Sequence, residues 1–495
     1  MDLMRIHPKD NVAVAVRPLA PGQALAAGLA AVVTRQPIPA GHKMAIVPIA
    51  AGEKVIKYGF PIGTAQVDIA AGDWVHTHNC KTNLGELLEY TYEPEVAALE
   101  AAGRGESFLG YRRPDGKAGT RNEIWIIPTV GCVNQNARVI AEVAGKLLCQ
   151  ENIDGVHAFT HPYGCSQLGE DIANTQKILA NLVRHPNAGG VLVLGLGCEN
   201  NHIRAFKEIL GPVDPQRVKF LETQGVDDEI AAGVQLVSEL AEYAGGFRRT
   251  TCPLSDLVVG LKCGGSDGFS GITANPLVGL FSDRLVASGG TTVLTEVPEM
   301  FGAETILMNR AKDKETFEKI VRLINDFKIY FTSHNQPVYE NPSPGNKDGG
   351  ITTLEDKSLG CTQKGGYAAP VVDVLQYGET AVTPGLNLLN GPGNDLVAST
   401  VLAAAGCQVI LFTTGRGTPL GTVVPTVKIA TNSDLFRRKQ NWMDFDAGRL
   451  LDGIPREELT GEFFAFVLNV ASGQTTKAEK LGFRDLTLFK NGVTV

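Results

Sequence analysis

The sequence predicts an α/β protein: a small all-β module followed by two α/β units. Three observations carry that prediction. The first 83 residues hold only short alternating or apolar runs, broken by Pro-Gly and Ala-Gly turns. From Thr120 onward apolar runs alternate with helical patterns, the signature of a parallel sheet with helices on its faces. A polar stretch at 245–251 interrupts the alternation once, and a second series then resumes.

Within residues 1–83 the strand-like runs lie at 11–16, 43–47, 54–58 and 73–76, with no amphipathic helix between them. Residues 84–110 turn acidic through Glu86, Glu89, Glu93, Glu95 and Glu100 and read as a linker with room for one helical turn. A central α/β unit over 111–248 has strands near 124–127, 156–160, 190–195 and 218–221. Its helices fall near 136–148, 171–184, 202–210 and 227–244. A C-terminal α/β unit over 249–495 has strands near 257–262, 291–295, 385–389 and 408–413. Residues 333–366 are too long and polar for an ordinary connection and read as a substrate loop.

A net charge of −8 leaves no basic footprint for nucleic acid. No apolar run approaches the roughly 20 residues that span a bilayer, which argues against a membrane protein. The first residues lack a charged-then-apolar signal shape, so a cytoplasmic location is expected. Nine dispersed cysteines do not make a disulfide framework. Cys80, Cys149, Cys252 and Cys407 read as packing residues.

Three other thiols sit where apolar runs end beside glycine: Tyr163-Gly164-Cys165-Ser166, Leu196-Gly197-Cys198-Glu199-Asn200-Asn201 and Lys262-Cys263-Gly264-Gly265-Ser266-Asp267-Gly268. Ligands of open α/β sheets gather beyond the carboxyl ends of the strands. Soft thiolates there suit zinc, iron or an iron–sulfur cluster. No pair has C-x-x-C spacing, so either the fold brings these ligands together or they are buried thiols lining strand ends. His161 follows a strand and reads either as a structural hydrogen-bonder or as a catalytic group. His76 and His78 stand at i, i+2, which on a strand places both imidazoles on one face as a metal pair. The alternative is two exposed polar residues. Arg416, between two glycines, suits bidentate capture of a carboxylate. Gly195-Leu196-Gly197 lacks the third glycine of a dinucleotide fingerprint.

Longer motifs add a resemblance. They include Val55-Ile56-Lys57-Tyr58-Gly59, Gly119-Thr120-Arg121-Asn122-Glu123, His161-Pro162-Tyr163-Gly164-Cys165-Ser166-Gln167, Thr295-Glu296-Val297-Pro298-Glu299 and Phe412-Thr413-Thr414-Gly415-Arg416-Gly417. With these the chain resembles the altronate and galactarate hydro-lyase family over essentially its full length. Ser358-Leu359-Gly360-Cys361-Thr362-Gln363-Lys364 makes the altronate branch the closer likeness. The resemblance implies an N-terminal SAF-type β-clip module, a central domain used in homodimerisation, and a C-terminal Rossmann-like variant with a metal site. It implies Fe²⁺-dependent dehydration of D-altronate to 2-dehydro-3-deoxy-D-gluconate in hexuronate catabolism. Mn²⁺ or an iron–sulfur cluster are the alternative cofactors, and galactarate or another 2-hydroxy acid is the alternative substrate. A non-catalytic sugar-acid binder is a further reading.

Residue chemistry then suggests roles. His161 is the candidate base, with Lys364 as its rival. Glu199, Asp267, Cys165, Cys198 and Cys263 are candidates for the metal shell, Glu199 also as a catalytic carboxylate. Arg416 would hold the substrate carboxylate, and Asn275, Asn346 and Lys347 its hydroxyls. His76 and His78 would close the site from the β module.

Overall fold

The computed structural model describes residues 2–27, 30–85, 87–95, 97–99, 105–148 and 151–493. Cys149 and the connector residues Glu86 and Glu100 lie outside them.

The N-terminal module is all β. Strands Leu3–Met4, Val12–Ala15, Lys43–Ala45 and Trp74–Val75 form one antiparallel sheet, and Lys54–Lys57, Phe60–Ala65 and Cys80–Lys81 another. The tight turn between Lys57 and Phe60 places Tyr58 and Gly59 at φ +61° and +82°. Two consecutive left-handed residues give the twist that a two-residue hairpin needs. The connector after this module holds no helical turn among its described residues. It is tied to the C-terminal unit instead, the Tyr92 hydroxyl donating to Ala311 O at 2.9 Å.

The polar stretch at 245–251 is partly a strand. Arg249–Pro253 pairs antiparallel with Ser107–Arg112, so the chain entering the middle unit zips to the chain leaving it. Between them lie β1 (Glu123–Pro128), α1 (Asn134–Leu147), β2 (Gly155–Ala158), α2 (Gly169–Val183), β3 (Ala188–Gly195), α3 (Ile203–Leu210), β4 (Val218–Glu222) and α4 (Glu229–Ala244). The strands form a parallel sheet in the order β2-β1-β3-β4. Helices α1 and α4 pack together, as do α2 and α3.

The C-terminal unit carries a seven-stranded parallel sheet, the Rossmann-like arrangement expected. Its elements are β5 (Val258–Cys263), α5 (Ala274–Ala287), β6 (Thr291–Leu294), α6 (Lys314–Ser333), α7 (Leu354–Cys361), β7 (Val371–Leu375), β8 (Gly385–Leu389), α8 (Asp395–Ala404), β9 (Val409–Thr414), β10 (Thr426–Ala430), β11 (Phe445–Asp446) and α9 (Arg456–Ala471). The order is β7-β8-β6-β5-β9-β10-β11. β5 is first in sequence and central in space, and the chain leaves it first toward β6 and later toward β9. The switch point therefore lies between β5 and β9, where such sheets bind ligands.

The expected long loop at 333–366 is about half helical: Pro344–Asp348, α7 and a 3₁₀ turn at Thr362–Gly365. The Thr353 side chain caps α7 by accepting from the Asp356 amide, with Glu355 and Asp356 in the first turn. Helix α7 is polar yet buried, so it shows no apolar stripe. Its Asp356 sits between Lys43 at 2.8 Å and Lys57 at 2.9 Å, both from the β module, and all three side chains are buried. Close backbone approach seals the same junction: a Cβ on Gly268 would lie 1.8 Å from Gly41 O.

Burial pushes the Asp356 carboxyl up, but the two ammoniums outweigh it and hold it well below the usual carboxylate range. The folded value lies below the unfolded one, near 4. Its stabilisation is therefore complete above that value and is lost as the pH falls toward the folded one. Asp356→Asn strands two buried ammoniums and should cost about 3–5 kcal/mol in denaturant unfolding at pH 7. Below about pH 4 the gap between variant and wild type should narrow.

Candidate active site at the strand switch point

Lys262 and Cys263 end β5, buried on every side. Lys262 Nζ bonds Glu296 and, at 2.9 Å, Asp395 Oδ1. The Cys263 amide donates to Glu296 Oε2 at 2.9 Å. Glu296 follows β6 and holds φ at +71°; a non-glycine residue there stores strain, a pattern concentrated at functional sites. Three residues on, Glu299 Oε2 lies 3.1 Å from Cys263 Sγ and 3.2 Å from Cys361 Sγ. The two sulfurs are 3.3 Å apart. Cys361 is the last residue of α7, and Lys364, one 3₁₀ turn further, donates to Cys263 Sγ at 2.8 Å and Glu296 Oε2 at 3.2 Å.

Cys263, Glu299 and Cys361 offer three ligand atoms all within 4.8 Å of one another, and no other such group occurs among the described residues. Two soft sulfurs and one carboxylate suit a borderline divalent transition ion. Sulfurs in contact at 3.3 Å leave no room for a cluster at this point. The hydrogen bond with Cys263, then burial, raises the Cys361 thiol well above its usual value. Burial pushes Glu299 up, but Lys357, Lys262 and Lys364 outweigh it and keep it ionised.

A cavity of about 530 Å³ opens onto this group, lined by Gly264, Gly265, Glu299, Asn341, Lys357 and Asp395 among others. Lys357 Nζ reaches Glu299 Oε1 at 2.8 Å, Asn341 Oδ1 at 3.0 Å and Asn346 Oδ1 at 3.2 Å. Burial opposes its charge, but Glu299 more than compensates, so it stays an ammonium. Arg416, just past β9, is exposed and lines an adjoining cavity of about 350 Å³ with Asp267, Arg437 and Arg438. Its amide donates to Gly265 O at 2.8 Å, which joins the two cavities' walls.

The structure thus brings together Cys263, Lys364, Asn346 and Arg416 from the expected set, and it separates the others. His161 lies in the middle unit with both ring nitrogens engaged: Nε2 donates to Pro128 O at 2.8 Å and Nδ1 accepts from the Tyr163 amide. Burial lowers its pKa to about 4. Its ring is neutral and tied through both nitrogens to the backbone of its own unit. Glu199 accepts from Thr129 Oγ1 and from the Leu196 and Gly197 amides. Burial pushes it up, but those bonds outweigh burial and keep it ionised as a loop clamp. Cys165 and Cys198 are exposed on the middle unit and outside the metal-competent group.

Asp267 is also outside that group. Its oxygens take bonds from Ser270, Thr431, Asn432 and the Phe269 amide, and burial raises its pKa. Asn275 ties Gly360 O to Thr413 Oγ1 and offers nothing to a ligand. Lys347 is half-buried beside Asn346 on the Pro344–Asp348 turn. His76 and His78 are not on a strand, which ends at Val75 before a turn, and both rings pack against Trp74. His76 is buried, stacked on Trp74 and bonded to Thr352, and burial with Lys43 and His42 lowers it to about 3; His78 is exposed.

Cys361, Glu299, Lys357, Glu296 and Lys262 were not singled out by residue chemistry. The signal for two of them was Glu296-Val297-Pro298-Glu299, a carboxylate pair beside a strand end.

A parallel sheet whose switch point holds buried amines, carboxylates and paired thiols beside a cavity defines an enzyme of proton-transfer chemistry. Residues 1–83 match the altronate/galactarate dehydratase SAF domain. Residues 110–245 match the D-galactarate dehydratase/altronate hydrolase second domain, and 254–494 the D-galactarate/altronate dehydratase C-terminal domain. The chain is 56% identical to altronate dehydratase of Bacillus subtilis (strain 168), covering 99% of each. It is 55% identical to altronate dehydratase of Escherichia coli (strain K12), covering 100% of each. Identity to the galactarate dehydratase (L-threo-forming) of the same Escherichia coli strain is 36%, over 95% of this chain and 93% of that one. The chain belongs to the altronate/galactarate dehydratase family.

Cys361→Ser removes one of two sulfurs and should weaken divalent-ion binding by at least tenfold in equilibrium dialysis under anoxic conditions, with the thermal midpoint little changed. His161→Gln should leave ion binding unchanged and lower stability instead.

Proposed function

We propose that the protein is a hydro-lyase that converts D-altronate to 2-dehydro-3-deoxy-D-gluconate, with Fe²⁺ as its native ion and Mn²⁺ as a substitute. The observation that carries this reading is full-length identity of 55–56% to two altronate dehydratases. The thiol–carboxylate group at the switch point supports it.

Cys263, Glu299 and Cys361 would hold the ion, which supplies Lewis-acid stabilisation of negative charge on the substrate. The remaining work falls to the chain. Arg416, from the adjoining cavity, takes the substrate carboxylate in a bidentate grip. Asn341 and Asn346 orient hydroxyls. Asp395, held by Lys262 at 2.9 Å and partly open to the cavity, takes the C2 proton. Lys357, kept protonated by Glu299, gives its proton to the departing C3 hydroxyl, which leaves as water. The enol then takes a proton at C3 while its C2 hydroxyl gives one to solvent, and becomes the ketone. Lys364 is fully buried, and Cys263 and Glu296 hold it as an ammonium against burial. It balances charge and is not the base.

The same reading includes hexuronate catabolism, a cytoplasmic location and a homodimer paired through residues 111–248. Among the described residues no helix is long and apolar enough to cross a membrane.

The test is keto-acid formation from D-altronate and galactarate by anaerobic protein with added Fe²⁺. D-Altronate should be the better substrate, and chelator should abolish turnover. Lys357→Met should lower kcat by about 10²-fold or more. Preference for galactarate, or full activity in chelator, overturns the reading.

A further inference from the structure

The middle sheet has a switch point of its own, and the catalytic account does not use it. Its first strand, β1, lies between β2 and β3. The helix after β1 packs with α4, and the helix after β3 packs with α2, so the chain leaves β1 and β3 toward opposite faces. That geometry opens a crevice at the carboxyl ends of the strands, where ligands bind.

Each of the three adjacent strands β2, β1 and β3 delivers one cysteine beyond this end: Cys165, Cys132 and Cys198. All three thiols are exposed, whereas the other five described cysteines are buried. Their loops are bolted to one another. Gly131 N donates to Tyr163 O at 2.8 Å, Asn201 N to Gly164 O at 3.0 Å, and Ser166 N to Asn200 Oδ1 at 2.7 Å. Gly164 permits this approach: at φ +100° its Cβ would lie 2.0 Å from Thr129 O. Ser166 accepts a left-handed φ of +56° to complete the turn.

The polar side chains between these loops point their bonds inward. His161 holds Pro128 O, Glu199 holds Thr129 and its own loop, and Asn201 holds Thr129 O. The thiols remain outside that lattice, apart from weak contacts of Cys165 with Ser166 and Cys198 with Gln224. Two residues after Cys165, the buried Gln167 keeps an Nε2 with no partner.

We propose that Cys132, Cys165 and Cys198 hold an iron–sulfur cluster at this switch point, a site separate from the catalytic group and independent of the altronate reading. The three sulfurs are not all within 4.8 Å of one another, as the two sulfurs and one carboxylate oxygen of the catalytic group are. A cluster interposes its own iron and sulfide between its ligands, so it suits the wider set. On ligation each thiol gives its proton to solvent. Three protein ligands leave one iron with a non-protein ligand. The former candidates His161 and Glu199 then become positioning residues that hold the thiol-bearing loops.

The test uses the full-length protein purified without oxygen and supplied with ferrous and ferric iron and sulfide, which together provide the mixed-valence iron of the cluster. Acid-labile sulfide should reach about four per chain and iron about five, the fifth being the ion of the catalytic group, with a broad visible sulfide-to-iron absorption. The Cys132→Ser/Cys165→Ser/Cys198→Ser variant should lose more than nine-tenths of the sulfide while keeping its thermal midpoint. Cys263→Ser/Cys361→Ser should keep it. A wild-type protein without labile sulfide, one holding only zinc, or a triple variant that retains the sulfide overturns the proposal.

Discussion

The buried charge set at the end of β5 is the constraint on which the rest of the C-terminal unit depends. Three ammoniums, Lys262, Lys357 and Lys364, face three carboxylates, Glu296, Glu299 and Asp395, and all but Asp395 are almost wholly shielded from water. Removing one partner of such a set leaves an uncompensated buried charge, which costs far more than an exposed pair contributes. The set therefore fixes where β5, the strained Glu296 turn and α7 meet. The thiols of Cys263 and Cys361 are held in contact as a result.

Exchanging two thiol protons for one divalent ion would leave the total charge of this pocket unchanged. The β module serves the same end from outside. Its Lys43 and Lys57 neutralise Asp356 on α7, the helix that carries Cys361 and Lys357. A module with no side chain in the cavity thus sets the position of one proposed ion ligand and of the proposed acid.

The strands and helices of the middle unit, and four of the seven strands of the C-terminal sheet, were legible because their apolar periods change abruptly, from continuous runs such as 190–195 to amphipathic stretches such as 171–184. Cys263 was legible as a candidate ligand because it combines a soft donor with a strand end, and the glycines after it let a ligand approach the backbone closely. α7 was not, because its buried face is polar and satisfied by ions from about 300 residues away, which no local period records. His161 and Glu199 show the converse difficulty. A polar residue after a strand looks the same in sequence whether it meets a ligand or ties loops together, and here both tie loops. Cys263 and Cys361 stand 98 positions apart, far beyond any local ligand spacing, so only the fold reveals their pairing.

The central claim is that Cys263, Glu299 and Cys361 form the ion site. Titrating Co²⁺ into metal-stripped protein and reading the near-ultraviolet thiolate-to-cobalt absorption tests it most directly. The band should grow to saturation in the wild type and in the Cys132→Ser/Cys165→Ser/Cys198→Ser background, and should vanish in Cys263→Ser/Cys361→Ser. A band that survives in the last variant, or fails to form in the second, contradicts the account.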